Sequence, residues 1–138
     1  MLVDTNVLLK AADQTAAEHL ACFQLLEDLR RNGERWFTTW PILNEFLRLS
    51  THPRVFKKPW QASAAWTFVE AILASPGHEI LAPSPRHSTI VAQILKEMPD
   101  LHGNIFHDLH TAVLLREHGF RRIYTYDNDF LRFRFLQV

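Results

Sequence analysis

This sequence of 138 residues has a single cysteine, a formal net charge of zero and no long hydrophobic run. Cys22 is the only cysteine, so no internal disulfide can form, which suits a reducing compartment. Fifteen Lys and Arg residues balance fifteen Asp and Glu residues, so a nucleic acid would have to bind a local basic patch rather than a globally cationic surface. The composition therefore excludes a disulfide scaffold and lends RNA binding no support from net charge.

No segment has the length or continuity of a membrane span or an export signal. Every apolar run is shorter than the roughly 20 residues that cross a bilayer, and Asp4 interrupts the N-terminal run where a signal peptide would be continuous. Repeats, low-complexity tracts and linkers are missing too, and 47% of the residues are hydrophobic, enough for a core. We expect one domain over residues 1–138 in the cytoplasm, with no membrane partner.

Short apolar runs alternate with longer amphipathic stretches. A short strand that runs into a turn is predicted over MLVDTNVLL, further strands are predicted at RWFTT, HEILA and RRIYTY, and FRFLQV is a candidate fifth strand. Helices are predicted at AAEHLACFQLLEDLRR, PILNEFLRLS, PWQASAAWTFVEAILAS, PRHSTIVAQILKE and GNIFHDLHTAVLLREHG. Thr15 with Glu18 has the spacing of a capping box, Ser84 with Pro85 that of a helix start, and Gly119 that of a helix end. The alternation predicts an α/β fold with a parallel sheet covered by helices on both faces.

Acidic residues follow two of the predicted strands directly. Asp4 comes after the first strand and Asp127 after the fourth. Ligands of open parallel sheets bind outside the carboxyl ends of the strands. We therefore expect both carboxylates to project into one crevice.

Two predicted helices each carry an acid at the border of their apolar face. Glu45 and Asp108 both lie roughly 60° from the centre of that face by helical geometry, and Asn104 lies beside Asp108. Acids gathered in one pocket would repel one another, so a bound cation is the favourable arrangement. Oxygen ligands without a Cys/His cluster favour Mg²⁺ or Mn²⁺, and such ions point to phosphodiester chemistry.

Each acid taken alone also fits a purely structural role. Asp4 has the place of a turn cap, Glu45 that of a solvated helix residue, and Asp127 or Asp129 that of an N-cap for the segment NDFLRF. A mid-helix aspartate such as Asp108 is unfavourable by propensity. The functional interpretation therefore depends on the joint placement of the acids.

The motifs VDTNVLL, NEFLR, GNIFHDLHTAVLLREHG and YTYDNDFLRF, in that order, resemble the PIN domain and more closely the VapC-type toxins of bacterial toxin–antitoxin pairs. The resemblance covers nearly the whole chain. It implies a three-layer α/β/α sandwich on a short parallel sheet. It also implies an Mg²⁺- or Mn²⁺-dependent endoribonuclease that cuts tRNA or ribosomal RNA loops.

The same resemblance implies roles for individual residues and partners. Catalytic positions fall on Asp4, Glu45, Asp108 and Asp127, metal ligands on Asp4, Asp108, Asp127 and Asp129, and supporting polar positions on Thr5, Asn6 and Thr125. Asn104 is a further candidate supporting residue because it lies beside Asp108 on the predicted helix. Glu45 is the candidate to orient or deprotonate the attacking water. A VapB-like antitoxin and a homodimer are the implied protein partners, and RNA is the implied substrate.

Basic and aromatic residues outside the acid set have two interpretations. Arg48, Arg54, Lys57 and Lys58 are candidate RNA contacts, or else parts of a solvated loop. His107, His110 and His118 share one helix, but their spacing provides only one same-face pair, which favours surface or partner contacts over zinc. The tryptophans Trp36, Trp40 and Trp66 indicate a core or a dimer surface.

Two other classes of function remain open. An aspartate-dependent phosphatase of the haloacid dehalogenase type would need a second acid where Asn6 stands and a lysine near the last acid. None of the lysines is near that acid in the sequence: Lys10, Lys57, Lys58 and Lys96. A non-catalytic RNA- or protein-binding domain would keep the fold alone. The full acid set argues against it, because uncompensated carboxylates cost stability.

Overall fold

A computed structural model describes all residues from Met1 to Val138. In chain order the elements are β1 (Leu2–Val3), α1 (Thr5–Ala12), α2 (His19–Asn32), β2 (Trp36–Thr38), α3 (Trp40–Ser50), α4 (Ala62–Leu73), β3 (His78–Ile80), α5 (His87–Glu97), α6 (Ile105–Glu117) and β4 (Ile123–Tyr124). A short 3₁₀ turn follows at Asn128–Arg132. No helix is both long and apolar enough to cross a membrane.

The four strands form one parallel sheet in the order β3-β2-β1-β4. Leu2 of β1 pairs with Phe37 of β2 on one side and with Ile123 of β4 on the other. Helices α1 to α4 pack in series, with α1 against α2 and α3, and α3 against α4, whereas α5 packs against α6. The predicted α/β class with a short parallel sheet is confirmed.

The sheet lies in the middle of the core. Leu2, Val3, Trp36 and Phe37 are almost completely buried, and so is Phe46 of α3. Burial of each such side chain contributes roughly 1.5–3 kcal/mol. The carboxyl ends of β1 and β4 are thereby held side by side, and the residues that follow these strands meet there.

The first helix was missed by the sequence prediction, which placed a strand and a turn over MLVDTNVLL. The strand ends at Val3, and the Asp4 carboxylate caps α1 by accepting the Thr5 N–H at 2.8 Å. Val7, Leu8 and Ala11 are buried with helical spacing. An apolar run of this length fits both elements, so hydrophobicity alone did not distinguish them.

The predicted capping box of α2 is wrong. Thr15 donates its hydroxyl and N–H to Asp13, and the helix begins later, at His19. The Glu18 carboxylate pairs instead with the Lys10 ammonium at 2.7 Å. A capping box requires the two side chains to bind each other's N–H groups, and here both find other partners.

Two helix starts and one candidate strand also differ from the prediction. α4 begins at Ala62 rather than at Pro59, and α5 begins at His87 rather than at Pro85. Ser84 lies before α5, where its hydroxyl binds Glu117 and accepts the Arg86 N–H. The candidate strand FRFLQV is reduced to an isolated bridge between Arg122 and Gln137.

Candidate active site

A cleft of about 900 Å³ lies at the carboxyl ends of β1 and β4. Helices α1, α3 and α6 and the 3₁₀ turn supply its walls, and only four of its 18 lining residues are hydrophobic. All five predicted acids line it: Asp4, Glu45, Asp108, Asp127 and Asp129. The joint placement on which the sequence interpretation depends is therefore present in the structure.

Asp4 is fixed by hydrogen bonds to both of its oxygens. Oδ1 accepts the Thr5 N–H at 2.8 Å, and Oδ2 accepts the Thr125 hydroxyl at 2.7 Å and the Asn6 amide at 3.2 Å. Burial raises the pKa of Asp4 above its ordinary value, although the bonds from Thr125 and Thr5 oppose the shift. The carboxylate has little freedom to reorient.

Thr125 and Asn6 join the two ends of the chain at this point. The Thr125 hydroxyl, besides donating to Asp4, accepts the Asn6 amide at 3.1 Å and the Asp127 N–H at 3.0 Å. The Asn6 carbonyl oxygen accepts the Tyr126 N–H at 3.1 Å. These bonds hold the segment after β4 against the start of α1, which sets the position of Asp127.

Asp108, Asp127 and Asp129 form the tightest acidic cluster. One carboxylate oxygen from each lies within 4.8 Å of the others. Asp127 also caps the 3₁₀ turn by accepting the Asp129 N–H at 2.8 Å. Burial raises the pKa of Asp108 to about 7, and the charges of Asp127, Asp4, Asp129 and Glu45 add to the shift.

Glu45 faces the cleft from α3 and stays half exposed. The Thr5 hydroxyl lies 3.4 Å from its Oε2 and 3.3 Å from the Ile42 carbonyl oxygen, so one proton is shared between two acceptors. Arg48 approaches its Oε1 at 3.7 Å. Glu45 is therefore held by longer contacts than Asp4.

The donor set fits a hard divalent cation. The one group of three or more candidate ligands in the protein consists of carboxylates, without histidine or cysteine. Mg²⁺ and Mn²⁺ prefer oxygen ligands, and a cation there would relieve the repulsion that raises the pKa of Asp108. Asp4 lies in the same cleft but outside the cluster, with both oxygens already bonded.

The predicted supporting residues belong to the cleft, whereas most of the predicted RNA contacts do not. Thr5, Asn6 and Asn104 line the cleft, and Thr125 reaches it through Asp4. Of the candidate RNA contacts only Arg48 lines the cleft, whereas Arg54, Lys57 and Lys58 are exposed on the segment between α3 and α4.

Sequence reasoning missed several residues of the cleft wall. Asn44 and Phe106 line it without having been singled out, and His107 and His110 line it although they were predicted to make surface or partner contacts. Their position on α3 and α6, next to Glu45 and Asp108, was the available signal. His118 lies elsewhere, where its ring nitrogen contacts the Ala82 carbonyl oxygen at 2.7 Å.

Comparison with known proteins gives consistent matches. A family model described as the PIN domain matches residues 1–136. Ribonuclease VapC37 of Mycobacterium tuberculosis is 35% identical over 132 residues, which cover 96% of this chain and 90% of the relative. Ribonuclease VapC43 of the same organism is 34% identical over 137 residues, which cover 99% and 92%.

Solved structures match the fold. Mycobacterium tuberculosis VapC20, described as a sarcin-ricin loop cleaving toxin, aligns with a TM-score of 0.67 at 17% identity over 99% of this chain and 97% of that chain. VapBC2 of Rickettsia felis, crystallised with a DNA fragment from its promoter, aligns with a TM-score of 0.67 at 17% identity over 98% and 93%. The chain thus belongs to the PIN-domain family. Within that family the chain belongs to the VapC ribonucleases, as its motifs indicated.

Proposed function

We propose that this protein is an Mg²⁺- or Mn²⁺-dependent endoribonuclease that acts as the toxin of a toxin–antitoxin pair. The observation that carries the proposal is the oxygen-only cluster of Asp108, Asp127 and Asp129 at the carboxyl edge of the sheet. These side chains would hold the cation, which would act as a Lewis acid toward phosphate oxygens and would lower the pKa of water. Relatives at 34–35% identity are named ribonucleases, which supports the same reaction class here.

The chain's own groups divide the remaining work. Asp4, locked by Thr125 and Thr5, supports the cluster as a fixed negative charge or as a further ligand. Glu45, half exposed and loosely held, takes a proton from the attacking water. Attack of this water on phosphorus breaks the bond between phosphorus and O3′. The O3′ atom leaves with the bonding electrons and takes up a proton. The products are a 5′-phosphate and a 3′-hydroxyl.

The test is cleavage of total cellular RNA by the purified protein in Mg²⁺, Mn²⁺ or EDTA. We expect cleavage only with a divalent ion. Asp4→Asn and Asp108→Asn should abolish it while far-ultraviolet circular dichroism stays unchanged, because each keeps the shape and removes the charge. Asp100→Asn, an exposed aspartate outside the cleft, is the matched control and should cleave normally. Equal cleavage in EDTA would contradict the metal mechanism.

The proposed protein partner is a VapB-like antitoxin whose arginine enters the cleft. A guanidinium binds carboxylates bidentately and neutralises the cluster without supporting hydrolysis. A structural neighbour is a VapBC pair, which supports a partner of this kind. Replacing the arginine should restore cleavage within the complex, and Mn²⁺ should compete with the antitoxin. Undiminished inhibition without the arginine would instead indicate that the antitoxin blocks RNA entry.

A homodimer is proposed from the family resemblance and from exposed aromatic residues. Trp36 is buried, whereas Trp40 and Trp66 are 44% and 42% exposed and remain available for a subunit interface. Light scattering of the free protein measures its mass. A monomer at all concentrations used for RNA cleavage would rule out a dimer as the active form.

A further inference from the structure

Phe106 is an exposed aromatic side chain in a mostly polar cleft. Ile105, the first residue of α6, is buried, and Phe106 follows it with 45% of its surface exposed. Single exposed hydrophobic residues are ordinary on a protein surface. A phenyl ring that lines the same cleft as five carboxylates is a different case, because it meets whatever the cleft binds.

The ring has no aromatic partner within the protein. Other phenylalanines pair closely: Phe46 stacks on Phe68 with ring centroids 4.7 Å apart, and Phe37 lies 4.4 Å from Phe120. Phe106 forms no such pair and is not part of the hydrophobic core. Its face is therefore available to a ligand.

Phe106 lies at the start of α6, on the wall of the cleft and outside the acidic cluster. At about 100° per residue, Phe106 and Asp108 lie about 160° apart around α6, and His110 and His107 lie between them on the longer of the two arcs. All four residues line the cleft. A nucleotide chain whose phosphate lies at the acidic cluster thus brings a flanking base to Phe106 along the side of the cleft that His107 and His110 line.

We propose that Phe106 is a base-stacking residue that holds one unpaired base next to the scissile phosphate. This role rests on the proposed ribonuclease function. Sequence-specific recognition of RNA mostly uses unstacked bases of loops, which stack on aromatic side chains. Stacking contributes to affinity without reading hydrogen-bond groups. Phe106 therefore selects an accessible loop over a duplex, in which the bases are already stacked.

The test begins with an RNA on which wild-type cleavage is established. Cut sites are mapped on total cellular RNA in Mn²⁺, and the strongest one is synthesised as a stem-loop. Single-turnover cleavage at increasing protein concentration then separates binding from the maximal rate. Phe106→Ala and Phe106→Leu should raise the half-saturating concentration about tenfold, with little change in the maximal rate. Phe106→Trp, which keeps an aromatic face, should retain binding.

The matched control is Phe23→Ala, because Phe23 is 49% exposed and lines an apolar cavity away from the cleft. It should behave as wild type. Phe106→Leu separates stacking from apolar contact, since leucine keeps the bulk without the ring. All variants should share the wild-type melting temperature, because Phe106 takes no part in the core.

Abasic nucleotides at each position flanking the cut identify the stacked base. Wild type should lose about tenfold in binding at one position, and Phe106→Ala should lose nothing further there. If Phe106→Ala binds RNA as tightly as wild type does, Phe106 is not a stacking residue. The same holds if its loss of binding adds in full to the loss caused by every abasic substitution. Either result would leave the ribonuclease function standing. A wild-type protein that cleaves no RNA in Mn²⁺ would overturn both.

Discussion

Asp108 is the acid of the cleft at which the proposed metal ion would compete with a proton. Burial and four neighbouring acids raise its pKa to about 7. Between the ordinary pKa of 3.8 and this value, the folded metal-free protein holds a proton that the unfolded chain has lost. The stabilisation that the protonated Asp108 side chain provides is therefore fully present at low pH and is lost as the pH rises to about 7.

We predict that Asp108→Asn stabilises the metal-free protein at pH 8 and has little effect near pH 4. Asparagine cannot ionise, so the variant avoids the repulsion that wild type develops as the pH rises. Because the carboxylate is partly exposed, we expect about 1 kcal/mol rather than the full value of the shift. Urea unfolding in EDTA at both pH values measures the difference, with Asp100→Asn as control. Lower stability of Asp108→Asn at pH 8 would contradict the assignment.

Glu117 is a second unusual carboxylate, buried at the end of α6 and away from the cleft. It accepts the N–H of Ser84 at 2.9 Å and also binds the Ser84 hydroxyl and the His87 ring. Burial alone would raise the pKa of Glu117, but the hydrogen bonds from Ser84 and His87 outweigh it and the pKa lies below its ordinary value. The ionised form thus anchors the start of α5 to α6.

We predict that Glu117→Gln destabilises the protein by about 1.5–3 kcal/mol at pH 7, the range for hydrogen bonds to a charged group. A lowered pKa stabilises the fold above the ordinary glutamate pKa, and this contribution is lost as the pH falls through the folded value. The deficit should therefore shrink in acid. Glu97→Gln, which removes an exposed pair with Arg116, should cost far less. A pH-independent deficit would show that shape rather than charge matters.

Among the elements, the connection from α4 to β3 has the strictest backbone requirement. Gly77 has φ +77°, and a Cβ atom there would lie 2.3 Å from the Glu34 carbonyl oxygen. Glycine is needed both for the left-handed conformation and for the close approach of the chain. The turn sets where β3 joins β2.

We predict that Gly77→Ala destabilises the protein more than Gly103→Ala. Gly103 has a similar φ of +71° but open space around its Cβ position, so it measures the conformational cost alone, about 1–2 kcal/mol. Thermal unfolding of both variants isolates the additional cost of the clash. Equal losses would mean that the Glu34 carbonyl moves aside freely.

The sequence predicted the strongly periodic helices and strands well, but it predicted poorly where one element ends and the next begins. α3 begins at Trp40 and β2 spans Trp36–Thr38, as the proline and the bounded aromatic run indicated. α1 was missed because Asp4 is both the end of a strand and the cap of a helix, so no turn residue separates the two. The start of α2 was misplaced because Asp13, two residues before Thr15, and Lys10 of α1 bind the two capping side chains instead.

For the site, residue type and strand ends were sufficient to identify the acids, but not the network that orients them. Nothing local in the sequence shows that Thr125 donates to Asp4 or that Asn6 binds the backbone of Tyr126. Those contacts depend on β4 lying beside β1. For the same reason, the lining role of Phe106 becomes visible only in three dimensions.

At the scale of the whole molecule, the proposed ion would link the cleft to global stability. We predict that Mn²⁺ raises the melting temperature of wild type, because the native cluster binds it and the unfolded chain has no such cluster. The quadruple variant with Asp4, Asp108, Asp127 and Asp129 changed to Asn should show no rise. A calorimetric scan with and without Mn²⁺ measures both proteins. An equal rise would place the ion elsewhere.

The hydrogen bond between Asp4 and Thr125 also bears on when the protein becomes active. The two residues are 121 positions apart, so the site closes through one of the longest-range contacts the chain can make. Such contacts form late and only after the intervening chain exists. During synthesis, the first residues of the site leave the ribosome long before β4, and the nascent chain cannot complete the cleft. The topology therefore prevents the site from closing before the chain has been synthesised through Thr125.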